Sequence, residues 1–130
     1  MKYRFFYRKL TTLFFSILIA QSYAQQTEID VNLLSDFNHA IKLFNSKAYA
    51  AAQKTFSEVS ENANDRIRLK ADADYYDAMC AIRLNQTDAD KKVLSFVEKH
   101  PNSNKKDKAY FNVGNYYFAN KKAAYSLKWY

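Results

Sequence analysis

Five aspartates, Asp72, Asp74, Asp77, Asp88 and Asp90, are the densest group of side chains in this sequence with the chemistry to hold a cation or move a proton. A calcium loop needs carboxylates at fixed loop spacings and a glycine at its sharp turn. The first three aspartates fall within a helical pattern, and the only glycine is Gly114. Asp74 follows Lys70 by four residues, the spacing of a helix-surface ion pair. The cluster therefore reads as a solvated or ion-paired face, with no metal. His39 and His100 are isolated, and no H-x3-H, H-E-x-x-H or C-x-x-C spacing occurs. His100 falls in a last helical turn, where a cation suits the helix dipole. Cys80, the only cysteine, lies between Met79 and Ala81 and reads as a small buried hydrophobe. A chain with one glycine builds neither a nucleophile elbow nor a glycine-rich phosphate loop. The expectation is a protein that is not an enzyme, with no catalytic residue, cofactor or metal.

Helices must carry these residues. One glycine and one proline in 130 residues argue against a sheet-rich fold, which needs many tight turns. Aromatics make up 17% of the chain, ample for helix packing. Leu33, Leu34, Phe37, Ile41 and Phe44 recur at helical spacing over residues 32–45, and Ser46-Lys47 is a turn. A second helix is predicted over 48–61, with Tyr49, Ala52, Phe56 and Val59. Asn64 is the expected N-cap of the longest helix, 65–84. Thr87 and Asp90 have capping-box spacing for a fourth helix, 88–99, which Pro101 stops. Residues 102–104 are the expected cap region of a fifth helix, and a sixth opens near Lys122.

Residues 1–24 read as a secretory signal peptide. Lys2, Arg4, Arg8 and Lys9 precede the apolar run 10–20, and Ser22 and Ala24 supply the small residues a signal peptidase reads. A membrane-spanning helix needs about 20 apolar residues. No cysteine lies near the junction, so no lipid anchor is expected. The leader holds four of the 20 basic residues and none of the 13 acidic ones, so the remainder carries 16 against 13, or +3 rather than +7. That surplus is no nucleic-acid footprint. A single cysteine in an exported chain gives no internal disulfide framework. Residues 25–30 are a polar lead-in.

Small residues mark equivalent points on three helices, Ala40, Ala78 and Gly114, spaced 38 and 36 apart. Their partner helices carry Ala52, Ala89 and Ser126, spaced 37 and 37, each followed four residues later by Phe56, Val93 or Tyr130. A period of this length marks stacked units rather than one closed core. The pattern resembles the tetratricopeptide (TPR) family, whose W-x2-L-G-x2-Y…A-x3-F…P repeat runs over about 34 residues. Tyr110, Val113, Gly114 and Tyr117 match its opening, Ala52 with Phe56 and Ala89 with Val93 its A-x3-F pair, and Pro101 its close. The longer period is similar to envelope TPR proteins of Gram-negative bacteria, of the BamD and Tol-Pal coordinator types. Asp36, His39, Asp74, Asp77 and Ser126 depart from the pattern, and BamD-type proteins carry the lipid anchor that this chain lacks.

The resemblance covers residues 30–130. It implies an all-α solenoid of antiparallel helix hairpins, two and a half to three repeats, over residues 31–130, the last repeat truncated. Its groove would be lined by the first helix of each hairpin: Phe37 and Ile41, Tyr75 and Met79, then Lys108, Phe111 and Asn115. Only Lys108 fits a carboxylate clamp, so an aromatic groove for an apolar segment fits better, and any one of these residues can equally pack inside the solenoid. The implied function is a scaffold, periplasmic or outer-membrane-associated, that holds another envelope protein or peptide segment. Nucleic acid is not an expected partner. The alternatives are the helical part of a SusD-like nutrient-binding protein, or the TPR domain of an enzyme whose catalytic part lies beyond residue 130. Tyr125, Trp129 and Tyr130 would be exposed at the end of the stack and offer a surface for self-association. The basic clusters Arg66, Arg68, Lys70 and Lys105, Lys106, Lys108 are most simply solubilising charge, and can also steer an acidic partner or a lipid headgroup.

Overall fold

A computed structural model describes residues 32–120 together with 122, 126, 127 and 129. The chain divides into two units, Met1–Leu34 and Ser35–Tyr130. Of the first, only the helical residues 32–34 are described. The expected signal peptide, its junction and the polar lead-in lie outside the described residues, as does most of the expected sixth helix. Among the described residues the fold is all-α: α1 (residues 32–45), α2 (Tyr49–Asn62), α3 (Ile67–Arg83), α4 (Ala89–Lys99) and α5 (Lys106–Ala119).

The small residues and the large ones divide the work of packing. Ala40, Ala52, Ala78 and Ala89 are buried, and so are Gly114 and Ser126. At these points neighbouring backbones come close, and Phe56, Val59, Val93, Phe96 and Val113 fill the space between. Burying side chains of this size yields about 1.5–3 kcal/mol each. Two clusters result. One joins α1, α2 and α3 around Ala40, Ala52, Phe56, Val59, Ala73 and Cys80. The other joins α3, α4 and α5 around Tyr75, Met79, Val93, Phe96, Ala109 and Val113. Both draw on α3, the longest of these helices. Tyr76 stacks on Phe56 (centroids 5.1 Å, 14°) and meets Phe37 and Phe44 edge-on.

One kind of turn ends α1, α3 and α5. The amide of Ala48 donates to the carbonyl of Leu43 (2.9 Å), that of Gln86 to Ala81 (3.0 Å) and that of Lys122 to Tyr117 (2.9 Å). A second amide, Lys47 to Phe44 or Asn85 to Ile82, closes the inner ring in the first two turns. These are the crossed bonds of a Schellman stop. The donors at 48, 86 and 122 are 38 and 36 residues apart, the spacing of Ala40, Ala78 and Gly114. Lys47 (φ 65°) and Asn85 (φ 55°) take the left-handed conformation that the stop requires.

The expected caps are corrected. Asn64 does not cap α3: it too is left-handed (φ 43°), a conformation asparagine tolerates, and it turns the chain two residues before the helix-preceding Arg66. Thr87 and Asp90 form no capping box. Asp88 precedes α4 with no side-chain cap, and the Asp90 carboxylate accepts the Lys91 amide instead (2.9 Å). Within residues 102–104, Ser103 Oγ accepts the Lys105 amide at 3.3 Å.

Candidate functional site

A cleft of about 610 Å³ runs beside α3 and α5 and reaches the end of α1. Helix periodicity builds its α5 wall: Lys108, Asn112, Asn115, Tyr116 and Ala119 follow one another at steps of four, three, one and three, a single stripe. Tyr75, Tyr76, Met79, Ile82 and Arg83 supply the α3 wall, and Phe44 with Asn45 closes it from α1. Asn112 holds the two walls together, donating from Nδ2 to Tyr75 Oη (3.1 Å) and to Met79 Sδ (3.3 Å). The Tyr75 phenol titrates above its ordinary range, chiefly through burial and then through Tyr76, and the Asn112 bond partly offsets this.

The lining has a definite chemistry. Five asparagines, Asn45, Asn85, Asn112, Asn115 and Asn120, carry amides that both donate and accept. Arg83 and Lys108 add positive charge, and among the described residues no carboxylate lines the cleft. Such a lining can donate and accept hydrogen bonds beside the apolar Tyr75, Met79 and Ile82.

Four of the seven groove residues expected from the sequence, Tyr75, Met79, Lys108 and Asn115, line this cleft. Phe37 and Ile41 do not: they pack on the first core cluster, with Phe37 edge-on to Phe56 at 5.6 Å. Burial of an aromatic ring outweighs its use as lining. Phe111 is 56% exposed and outside the lining, because it is turned about 100° around α5 from Asn112. Asn112, Tyr116 and the asparagines at the helix ends were not expected. The stripe beginning at Lys108 is the signal that could have found them. Of the three C-terminal aromatics, Tyr125 and Tyr130 lie outside the described residues. Trp129 is half-buried, with its ring 6.1 Å from that of Tyr110.

The aspartates of α3 do structural work instead. Asp72 accepts from Lys105 Nζ (2.6 Å), Asp77 from Lys92 Nζ (2.7 Å), and Asp74 Oδ2 meets His100 Nε2 (2.7 Å). Ser60 Oγ donates to the other oxygen of Asp74. The expected local pairing of Lys70 with Asp74 gives way to this: the Lys70 ammonium donates to Ser60 O (2.7 Å) and Oγ (3.2 Å). These bonds tie α3 to α2, to α4 and to the start of α5. His100, expected as a helix-end cation, is the partner of Asp74. Among the described residues, no group of three or more histidines, cysteines and acids could hold a metal ion. Cys80 is a free, buried thiol, pushed up to about 12 by burial and by nearby Asp77. Among the described residues no helix is long and apolar enough to cross a membrane. Compared with known proteins, the chain matches no family, no curated protein and no solved structure.

Proposed function

We propose that this chain is a non-enzymatic binding module of the bacterial envelope, a stack of TPR-type helix hairpins that holds an extended segment of another protein. The observation that carries the reading is the cleft, whose walls come from α1, α3 and α5, the first helix of each hairpin. The equal spacing of the helix stops and of the buried small residues supports a repeated hairpin. Asparagine amides suit the main chain of an extended segment, the floor of Tyr75, Met79 and Ile82 suits its apolar side chains, and Arg83 with Lys108 favours an acidic group on it. Export rests on the charged and apolar run at residues 2–20.

The test is a pull-down from envelope extract with the full chain and with a Lys108→Glu/Asn115→Ala variant. Both positions are exposed, so the variant keeps its fold. The expected result is a specific partner captured by the parent and lost by the variant. Identical captured sets from both would refute the cleft as the binding surface.

A further inference from the structure

A second cleft, of about 570 Å³, shares no lining residue with the first. It is formed by the first turns of α3 (Ile67, Arg68, Ala71, Asp72), the end of α4 (Lys99, His100) and the loop into α5 (Pro101 to Lys105). The fold here joins residues of two basic clusters, placing Arg68 and Lys105, 37 residues apart in sequence, in one concavity that Lys99 also lines. Among the described residues one carboxylate, Asp72, lines the cleft with them, and it is bonded to Lys105. His100 is turned to Asp74 through Nε2. Arg68 and Lys99 are exposed, and among the described residues neither has an ion-pair partner.

We propose that this cleft binds a phosphate group. Three cations against one carboxylate leave a lining charge of +2 with His100 neutral, and a phosphate monoester carries about −2 at neutral pH. A guanidinium beside two ammonium groups suits an anion with three free oxygens; a lone carboxylate is satisfied by one arginine. Ser103 accepts the Lys105 amide through Oγ, which leaves its own hydroxyl hydrogen to donate, and Asn102 and Asn104 add neutral donors at the rim. The cleft exceeds the size of phosphate alone. Ile67 on its rim is 76% exposed, so whatever carries the phosphate meets an aliphatic side chain. A lipid that ends in a phosphate monoester and a soluble phosphate monoester share this chemistry.

The experiment uses the full chain in 0.1 M salt. Amide resonances are followed during titration with pyrophosphate, with acetate at matched ionic strength as control, and flotation is measured on vesicles containing phosphatidic acid against phosphatidylcholine vesicles. The expected result is saturable shifts at residues 67–72 and 99–105 with pyrophosphate, or selective flotation with the anionic vesicles. Flotation alone identifies a lipid headgroup, and shifts alone a soluble phosphate. Arg68→Gln/Lys99→Gln weakens binding about tenfold, since it removes two charge-assisted contacts, and Asp72→Asn strengthens it by freeing Lys105. A circular-dichroism melt of each variant checks that the fold is kept. Absence of both signals, equal shifts with acetate, or undiminished binding by the folded double variant would overturn the proposal.

Discussion

Cys80 shows how far one buried side chain can shape stability. Its thiol ordinarily titrates near 9 and here is pushed up to about 12. Between those values the unfolded chain has lost a proton that the folded chain keeps. This contribution to stability is therefore complete below about pH 9 and falls as pH rises, by about 1.4 kcal/mol per pH unit. Urea midpoints at pH 8, 9 and 10 should decline more steeply for the parent than for Cys80→Ala, and parallel declines would show that the thiol is not the group responsible. The same burial makes alkylation of the folded protein slow. Gly114 tests packing in the opposite way. Leucine is a far better helix former than glycine, so propensity alone favours Gly114→Leu by nearly 1 kcal/mol. Gly114 is buried in α5, next to the fully buried Val113, so a leucine there would have to displace its neighbours. The variant should lose about 1–3 kcal/mol by urea unfolding. A gain would mean that the site tolerates a side chain.

At the scale of the element, the helix stops matter most. Lys47 has φ 65°, a conformation costing a residue with a Cβ about 1–2 kcal/mol, and glycine removes that cost. Lys47→Gly should raise the melting temperature with a gain of up to about 1 kcal/mol, whereas Lys47→Val should lower it. The opposite order would show that the φ strain is relieved elsewhere. The helices themselves were legible in the sequence. Phe37, Ile41 and Phe44, or Val93, Phe96 and Val97, recur at a spacing only a helix buries on one side. The caps were not legible, because asparagine serves equally as N-cap and as left-handed turn residue, and only the path of the chain decides which. The partners of the aspartates were hidden for a related reason. Lys92, His100 and Lys105 lie 15, 26 and 33 residues from Asp77, Asp74 and Asp72, so no local spacing announces them. The candidate cleft was partly legible: resemblance named Tyr75 and Met79 of its α3 wall and Lys108 and Asn115 of α5, while Tyr76, Ile82, Arg83 and Asn112 needed the packed helices.

For the whole molecule, α3 is the shared element. It packs against α2, α4 and α5, supplies side chains to both core clusters, and anchors two lysine–aspartate ion pairs and the bond from Asp74 to His100. Helices that pack mainly on one neighbour open more easily than a helix packed on several. Amide exchange should therefore be slowest for residues 75–82 and faster in α5, whose Phe111 and Phe118 are exposed. Equal protection across α3 and α5 would instead indicate one all-or-none unit.

The half-buried Trp129 has an optical consequence. It is the chain's only tryptophan, beside Tyr110 of the last described helix, whereas Tyr75 and Tyr76 sit in the middle of the helices. Indole emission thus reports on the contact of Trp129 with Tyr110, and the aromatic proton resonances of Tyr75 and Tyr76 report on α3. A denaturation curve read by either probe is a local record, and the gap between the two midpoints measures directly how strongly the hairpins are coupled.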